Sequence, residues 1–260
     1  MRFLLFTAAL LGTLTLGAQT PCENGFAAGY PCDLVDLMGF VPSSNLGGGD
    51  AEDLWGWTDP LDGSEYAIVG MAGTTAFVDI TAPTSPVVVG LLPSHTGSSL
   101  WRDVKVYNNH AYIVSEATGH GLQVFDLTRL RNVPNPPITF TEDGHYAGFG
   151  NAHNIAINEE SGRAYAVGSN TFSGGLHILD LSNPTSPSLI GSFAEDGYTH
   201  DAQIVNYDGP DAEHVGKEIC FAFNENTVAI VDVTDPTDAI LLSNSGYAAS
   251  DYTHQGWLTE

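Results

Sequence analysis

Basic residues are scarce. Lys and Arg number 7 against 31 Asp and Glu in 260 residues, a formal net charge of −24. Nucleic-acid binding needs Lys and Arg clusters that displace counterions from phosphates, and docking on anionic lipid needs the same. The composition argues against both partners. Cysteine is rare too, with three residues and no Cys-x-x-Cys pair, which argues against a thiolate zinc site. After the first 20 residues no stretch is long and apolar enough to span a bilayer, so no membrane insertion is expected there. No long segment keeps a helical apolar period. The chain also lacks a Gly-x-Ser-x-Gly elbow, a phosphate loop and a His-Glu-x-x-His pair.

The residues that are present begin with "MRFLLFTAALLGTLTLGA". Arg2, an apolar run and small residues near Ala18 predict a secretory signal peptide over residues 1–18, cleaved after Ala18. The expected location is secreted or cell-surface. Export permits disulfides, and Cys22 and Cys32, within an N-terminal segment over 19–50, are expected to pair. Cys220, inside the apolar "KEICFAF", is expected to be a buried free thiol.

The rest of the chain repeats. "TTAFVDITAPTSPVVVG", "GLQVFDLTRLRNVPNPPITF", "GLHILDLSNPTSPSLIG" and "TVAIVDVTDPTDAILLS" each read as an apolar run, an Asp, a Ser or Thr, a Pro-containing turn and a second apolar run. The shared aspartates are Asp79, Asp126, Asp180 and Asp232. Their carboxylates are expected to accept backbone N–H groups of the adjoining turn. Each repeat holds four short strand-like runs separated by turn residues. Four strands at this spacing predict an all-β fold, a β-propeller of four-stranded antiparallel blades over residues 51–260. The chain holds about four blades and the start of a fifth, an incomplete ring, and the expectation is a C-terminally truncated sequence.

The inner strands of a propeller line its central channel. Here they open at Asp53, Asp103, Asn154, Asp201 and Gln255, and the residues just before them are Glu52, Arg102, His153, His200 and His254. The sequence therefore predicts a polar ring at one channel mouth, with Tyr-Thr-His supplying the histidine in the last two copies. This ring is the candidate ligand-binding site.

The stretches "LVDLMGF", "EDLWGW", "TTAFVDITAPTSPVVVGLLP", "LWRDVKVYNNHAYIVSEATGHGLQVFDLTRL", "GLHILDLSNPTSPSLIG", "YTHDAQIVNY" and "YTHQGWLTE" resemble the LVIVD-repeat proteins, especially the bacterial secreted group called choice-of-anchor B. The resemblance covers essentially the whole mature chain. It implies an extracellular β-propeller, often tethered by a C-terminal sorting segment. It carries over no activity.

Three readings of the ring chemistry stay open. His153, His200 and His254, with Asp201, could hold a divalent metal: imidazole suits zinc and carboxylate suits calcium. Alternatively each histidine hydrogen-bonds a neighbouring blade. Arg102 could pair with Asp103 or bind an anionic ligand. A second acidic constellation, Glu142-Asp143-Gly144 and Glu195-Asp196-Gly197, occupies matching places in two repeats and offers oxygen ligands for calcium or plain turns. Trp55, Trp57, Trp101 and Trp257 cluster at inner strands, either as packing between blades or as a platform for a sugar. The first expectation for function is a binding module for an extracellular protein or carbohydrate. The second is a metal-dependent extracellular hydrolase or lyase that uses the His/Asp ring.

Overall fold

The computed structural model describes residues 19–259; the predicted signal peptide, residues 1–18, lies outside them. A short ribbon of β1 (Phe26–Ala27) and β2 (Tyr30–Pro31) sits between Cys22 and Cys32, which form the expected disulfide. Blade 1 contains β3 (Ala51–Thr58), β4 (Glu65–Met71), β5 (Thr74–Asp79) and β6 (Val87–Pro93). Blade 2 opens with β7 (Arg102–Tyr107), β8 (His110–Ser115) and β9 (Leu122–Asp126), followed in the chain by β10 (Ile138–Thr139) and β11 (Gly144–Tyr146). Blade 3 is β12 (Asn154–Asn158), β13 (Arg163–Val167), β14 (Leu176–Asp180) and β15 (Ser188–Phe193). Blade 4 is β16 (Asp201–Asn206), β17 (Glu218–Phe223), β18 (Val228–Asp232) and β19 (Ile240–Ser245).

The blade strands run antiparallel in chain order, and β3, β7, β12 and β16 stand side by side as the inner strands. The architecture is that of a β-propeller, and the described residues form an arc of blades without a closed ring. The middle strands, β5, β8, β9, β13 and β14, bury both faces, which is why they read as continuous apolar runs rather than alternating ones. The core accordingly divides into clusters between neighbouring blades. Phe77, Val104 and Phe125 sit between blades 1 and 2, Tyr112 and Ile155 between 2 and 3, and Tyr165, Cys220 and Val231 between 3 and 4. Cys220 is a buried free thiol, as expected, and burial raises its pKa.

The four repeat aspartates behave alike. Asp79, Asp126, Asp180 and Asp232 accept the backbone N–H of Thr81, Thr128, Ser182 and Thr234 at 2.9, 2.9, 2.9 and 3.1 Å. In the first, third and fourth repeats this closes the turn that returns the chain to an outer strand, whereas Asp126 caps a 3₁₀ helix. That turn also meets the preceding blade. A Cβ on Gly191 of β15 would lie 1.7 Å from the Pro236 carbonyl oxygen, and one on Gly144 of β11 would lie 2.2 Å from that of Thr185. Gly39, in the N-terminal segment, meets the Pro83 carbonyl oxygen at 2.5 Å in the same way. The segment thus stands against blade 1 where an outer strand stands against each later blade. Its Leu46 and Val41 cover Met71, Ala76 and Val78.

The second repeat departs from expectation. Its second apolar run, from Ile138, does not form the outer strand of blade 2. β10 pairs in parallel with β6, Ile138 opposite Gly90, and makes blade 1 five-stranded, while β11 pairs with β9 as the outer strand. The cause is the longer turn. Asp126 caps a 3₁₀ helix over Leu127–Leu130, whose buried leucines direct the chain over blade 1. Phe140 then packs against Phe77 and Phe125. Arg131 fixes the excursion by donating from Nε and Nη2 to the buried Asp59 carboxylate, both at 2.6 Å. A second departure concerns residues 255–259. The repeat spacing predicts a fifth inner strand there, but they form none; Leu258 N–H donates to Gln203 Oε1 of β16 at 2.8 Å.

Candidate functional site

The inner-strand mouths border one cleft of about 500 Å³. Every residue of the expected ring lines it: the strand openers Asp53, Asp103, Asn154, Asp201 and Gln255, and the preceding Glu52, Arg102, His153, His200 and His254. Five segments distant along the chain converge because each is the same position of a repeat placed around one axis.

The openers and the preceding residues do different work. Asp53 Oδ2 accepts Val104 N–H from the next inner strand at 3.0 Å, and Asp103 Oδ2 accepts Ile155 N–H from the next again at 2.7 Å. Asp103 Oδ1 also accepts Val104 N–H at 2.8 Å and the Lys105 ammonium. These carboxylates fasten blade to blade. Burial pushes the Asp103 carboxyl up to about 7; Lys105 opposes the shift and Asp53 adds to it. Asp201 turns to its own strand, accepting Ala202 N–H at 2.8 Å, and burial raises its pKa as well.

Arg102 corrects an expectation. Its guanidinium does not pair with Asp103. It is buried across Gly70, with Nε donating to the Met71 carbonyl at 3.0 Å and Nη2 to Ser94 Oγ at 2.8 Å. Burial lowers its pKa to about 10. Nε and Nη2 find acceptors inside the blade 1–blade 2 interface, and Nη1 has none among the described residues.

The histidines form a row. His153 Nε2 and His200 Nε2 face each other at 2.8 Å. The far nitrogen of each ring is held by an acceptor: His153 Nδ1 by Glu116 Oε1 at 2.6 Å, and His200 Nδ1 by the His254 carbonyl oxygen at 2.9 Å. Both Nδ1 atoms therefore carry protons, and both Nε2 atoms point at the shared gap. Burial, with the neighbouring His153 and His254 rings adding to it, lowers His200 to about 4. His254 contributes its carbonyl, while its exposed ring leans on His200 with centroids 4.2 Å apart. The expected metal foursome of His153, His200, His254 and Asp201 does not converge as a set. Among the described residues, the one group of three His, Cys, Asp or Glu side chains whose ligand atoms lie within 4.8 Å of one another is Asp211, Glu213 and His214, on a surface loop.

The tryptophans separate into two kinds. Trp57 is buried, donates from Nε1 to Asn109 Oδ1 at 3.2 Å and packs on Tyr66. Trp55, Trp101 and Trp257 border the cleft, and the last two are 47% and 69% exposed, far more than a packing role requires. Lys105 stands 4.5 Å over the Trp55 ring. The acidic loops do not occupy matching places after all: Glu142-Asp143 lead into β11, whereas Glu195-Asp196 follow β15. Three of these four carboxylates, those of Glu142, Asp143 and Asp196, are taken by protein donors. Gln123 Nε2 reaches Glu142 at 2.8 Å, Arg129 reaches Asp143 at 2.7 Å, and Asn224 Nδ2 reaches Asp196 at 2.6 Å. The longer turn of the second repeat shifts the first pair out of phase.

Sequence reasoning missed Glu116 and Lys105. Lys105 lies two residues after Asp103 in a strand, hence on the same face, and could have been found. Glu116 follows β8 and meets His153 only through the fold.

Two stretches, residues 150–195 and 216–245, match the LVIVD repeat. They fall on blades 3 and 4. A solved structure of a functionally unknown protein from Desulfotomaculum acetoxidans is similar over 78% of this chain and 58% of that one, at 17% identity and a TM-score of 0.52. A β-propeller domain from Myceliophteria thermophila is 12% identical over 72% of this chain and 53% of that one, with a TM-score of 0.44. The extracellular domain of a putative one-component system from B. thetaiotaomicron is 12% identical over 77% of this chain and 25% of that one, with a TM-score of 0.46. This chain thus spans less than two thirds of each of these structures. No curated protein matches it.

Proposed function

We propose that the chain is an exported binding module that takes a neutral carbohydrate in the inner-strand cleft. The observation that carries this reading is the group of three tryptophans, Trp55, Trp101 and Trp257, bordering a cleft that also presents hydrogen-bonding side chains such as Asp53, Asn154, Gln203 and Gln255. Flat apolar faces beside donors and acceptors suit a sugar ring, which has an apolar face and a hydroxyl rim. A net charge of −24 and carboxylates at the mouth disfavour anionic ligands. Export is supported by the leader-like residues 1–18 and by the Cys22–Cys32 disulfide, a bond that persists in oxidising compartments.

The test is a neutral-glycan array probed with the purified protein, followed by calorimetry on hits. A Trp101→Ala Trp257→Ala double variant is expected to fold and to lose binding. Absence of any neutral glycan ligand at millimolar concentration would overturn the reading. The alternative, a metal-dependent hydrolase or lyase, is favoured by one observation, the facing Nε2 atoms of His153 and His200. Turnover of a bound glycan, abolished by chelator, would establish it instead.

A further inference from the structure

Two imidazoles whose outer nitrogens are both committed as donors present lone pairs to each other. At 2.8 Å that arrangement is repulsive unless a proton on one Nε2 or a metal cation lies in the gap, and titration with zinc separates the two. The committed partners are a carboxylate, Glu116, on one side and a backbone carbonyl, that of His254, on the other. Metal-ligating histidines characteristically hold their second N–H in this way, which fixes the tautomer and aims the free nitrogen. Nitrogens that share a zinc ion at roughly 2.0–2.1 Å each, with an angle between right and tetrahedral, lie about 2.9–3.4 Å apart. The observed separation of 2.8 Å lies just below that range, and an opening of the rings by a few tenths of an ångström admits an ion.

We propose that His153 Nε2 and His200 Nε2 form a two-histidine site for a borderline divalent metal of the zinc, nickel or copper type. Its remaining coordination positions open toward the cleft for water or ligand. Glu116 and the His254 carbonyl are its orienting partners. Two neutral nitrogen donors exclude a calcium preference, since calcium takes oxygen ligands. The His254 ring is not a donor in this assignment, because its nitrogens do not converge with the pair. The inference concerns the same cleft as the carbohydrate reading but does not rest on it: the site can hold zinc whether or not a sugar binds.

The experiment uses the purified full chain, titrated with zinc chloride in a calorimeter and analysed for metal after dialysis. One zinc per chain is expected, lost in both His153→Ala and His200→Ala. Glu116→Gln keeps both donors and removes only the orienting charge; it is expected to weaken zinc roughly 10- to 100-fold. His254→Ala keeps the carbonyl and should bind zinc as the parent does, and His214→Ala should too. Circular dichroism melts of each variant establish that a loss of zinc is not a loss of fold. Cobalt substitution supplies an independent visible-absorption signature of nitrogen ligation, expected to vanish with either histidine. Zinc retained by the His153→Ala His200→Ala double variant, zinc lost with His214→Ala, or no zinc bound at millimolar concentration would each overturn the assignment.

Discussion

The two halves of the cleft are built from the same seats of the same repeat, yet they are held together differently. On the blade 1–blade 2 side, carboxylates at the strand openings reach across and take backbone N–H groups of the next strand, as Asp53 and Asp103 do. On the blade 3–blade 4 side, the contact between neighbouring inner strands at the cleft mouth passes through the preceding seat, from ring to ring between His153 and His200, while Asn158 and Asn206 meet at the far end of the strands. A carboxylate that satisfies a buried amide contributes to stability and has little freedom to do chemistry. An imidazole pair with a shared gap contributes less to holding the blades and keeps chemical capacity. The comparison teaches that a repeat position can be structural in one blade and functional in another.

The comparison breaks most strongly at Asp103. Asp103→Ala strands the Ile155 N–H in a buried setting, whereas Val104 N–H keeps Asp53 Oδ2 and the Lys105 ammonium keeps the Val104 carbonyl. At about 1–3 kcal/mol for an unsatisfied buried group, the loss should be on the order of 2 kcal/mol, read from the midpoint of chemical denaturation. A loss no larger than that of a typical surface substitution would mean that the carboxylate is not the fastening device.

The same residue makes the first half of the cleft pH-sensitive. Asp103 titrates near 7 in the folded protein against an ordinary value of 3.8, with burial as the main cause. The folded state therefore holds this proton more tightly than the unfolded chain does. The group favours folding most at low pH, and its contribution declines as pH rises from about 4 through about 7. The stability difference between the parent and Asp103→Asn, which cannot titrate, should slope across that window and level off above it. A flat difference would show that Lys105 and the two amides have restored an ordinary carboxylate.

The contrast between Arg102 and His153 shows where sequence reading stops. Both occupy the seat before an inner strand, and repeat alignment places both correctly at the cleft. Their side chains part company because arginine is long enough to reach the Met71 carbonyl and Ser94, whereas histidine is short and stays at the mouth. Seat identity is a property of repeat periodicity; side-chain direction depends on what lies within reach in three dimensions. The four turn aspartates are legible for the opposite reason, since their partners are two residues away. The excursion over 127–140 is not, because its pairing with β6 replaces a local partner by one far upstream, Gly90 for Ile138. The two stretches that match the LVIVD repeat fall on blades 3 and 4, beyond that excursion, where the repeat keeps its regular turn.

On the histidine side, His153→Ala should lower stability by only about 1 kcal/mol, the scale of an ordinary substitution, since no backbone amide depends on it. Measured beside Asp103→Ala in the same denaturant series, it gives the ratio that the comparison requires. Equal losses would make the two halves structurally equivalent and remove the argument that the histidine row is kept for its chemistry.

The smallest effect on folding belongs to the rim. Trp257 is 69% exposed and lies in a segment that forms no strand, so Trp257→Ala should change stability by no more than about 0.5 kcal/mol. Its effect on binding should be far larger than its effect on folding, because a large aromatic face left open at a cleft has no packing to lose. Trp57→Ala is the matched control. Its ring is buried against Tyr66 and hydrogen-bonded to Asn109, so stability should fall by roughly 3–5 kcal/mol, while the cleft, which Trp57 does not line, keeps its recognition surface in whatever fraction remains folded. If Trp257→Ala instead destabilised the protein as Trp57→Ala does, the exposed tryptophan would be a packing residue and the cleft would lose its aromatic platform.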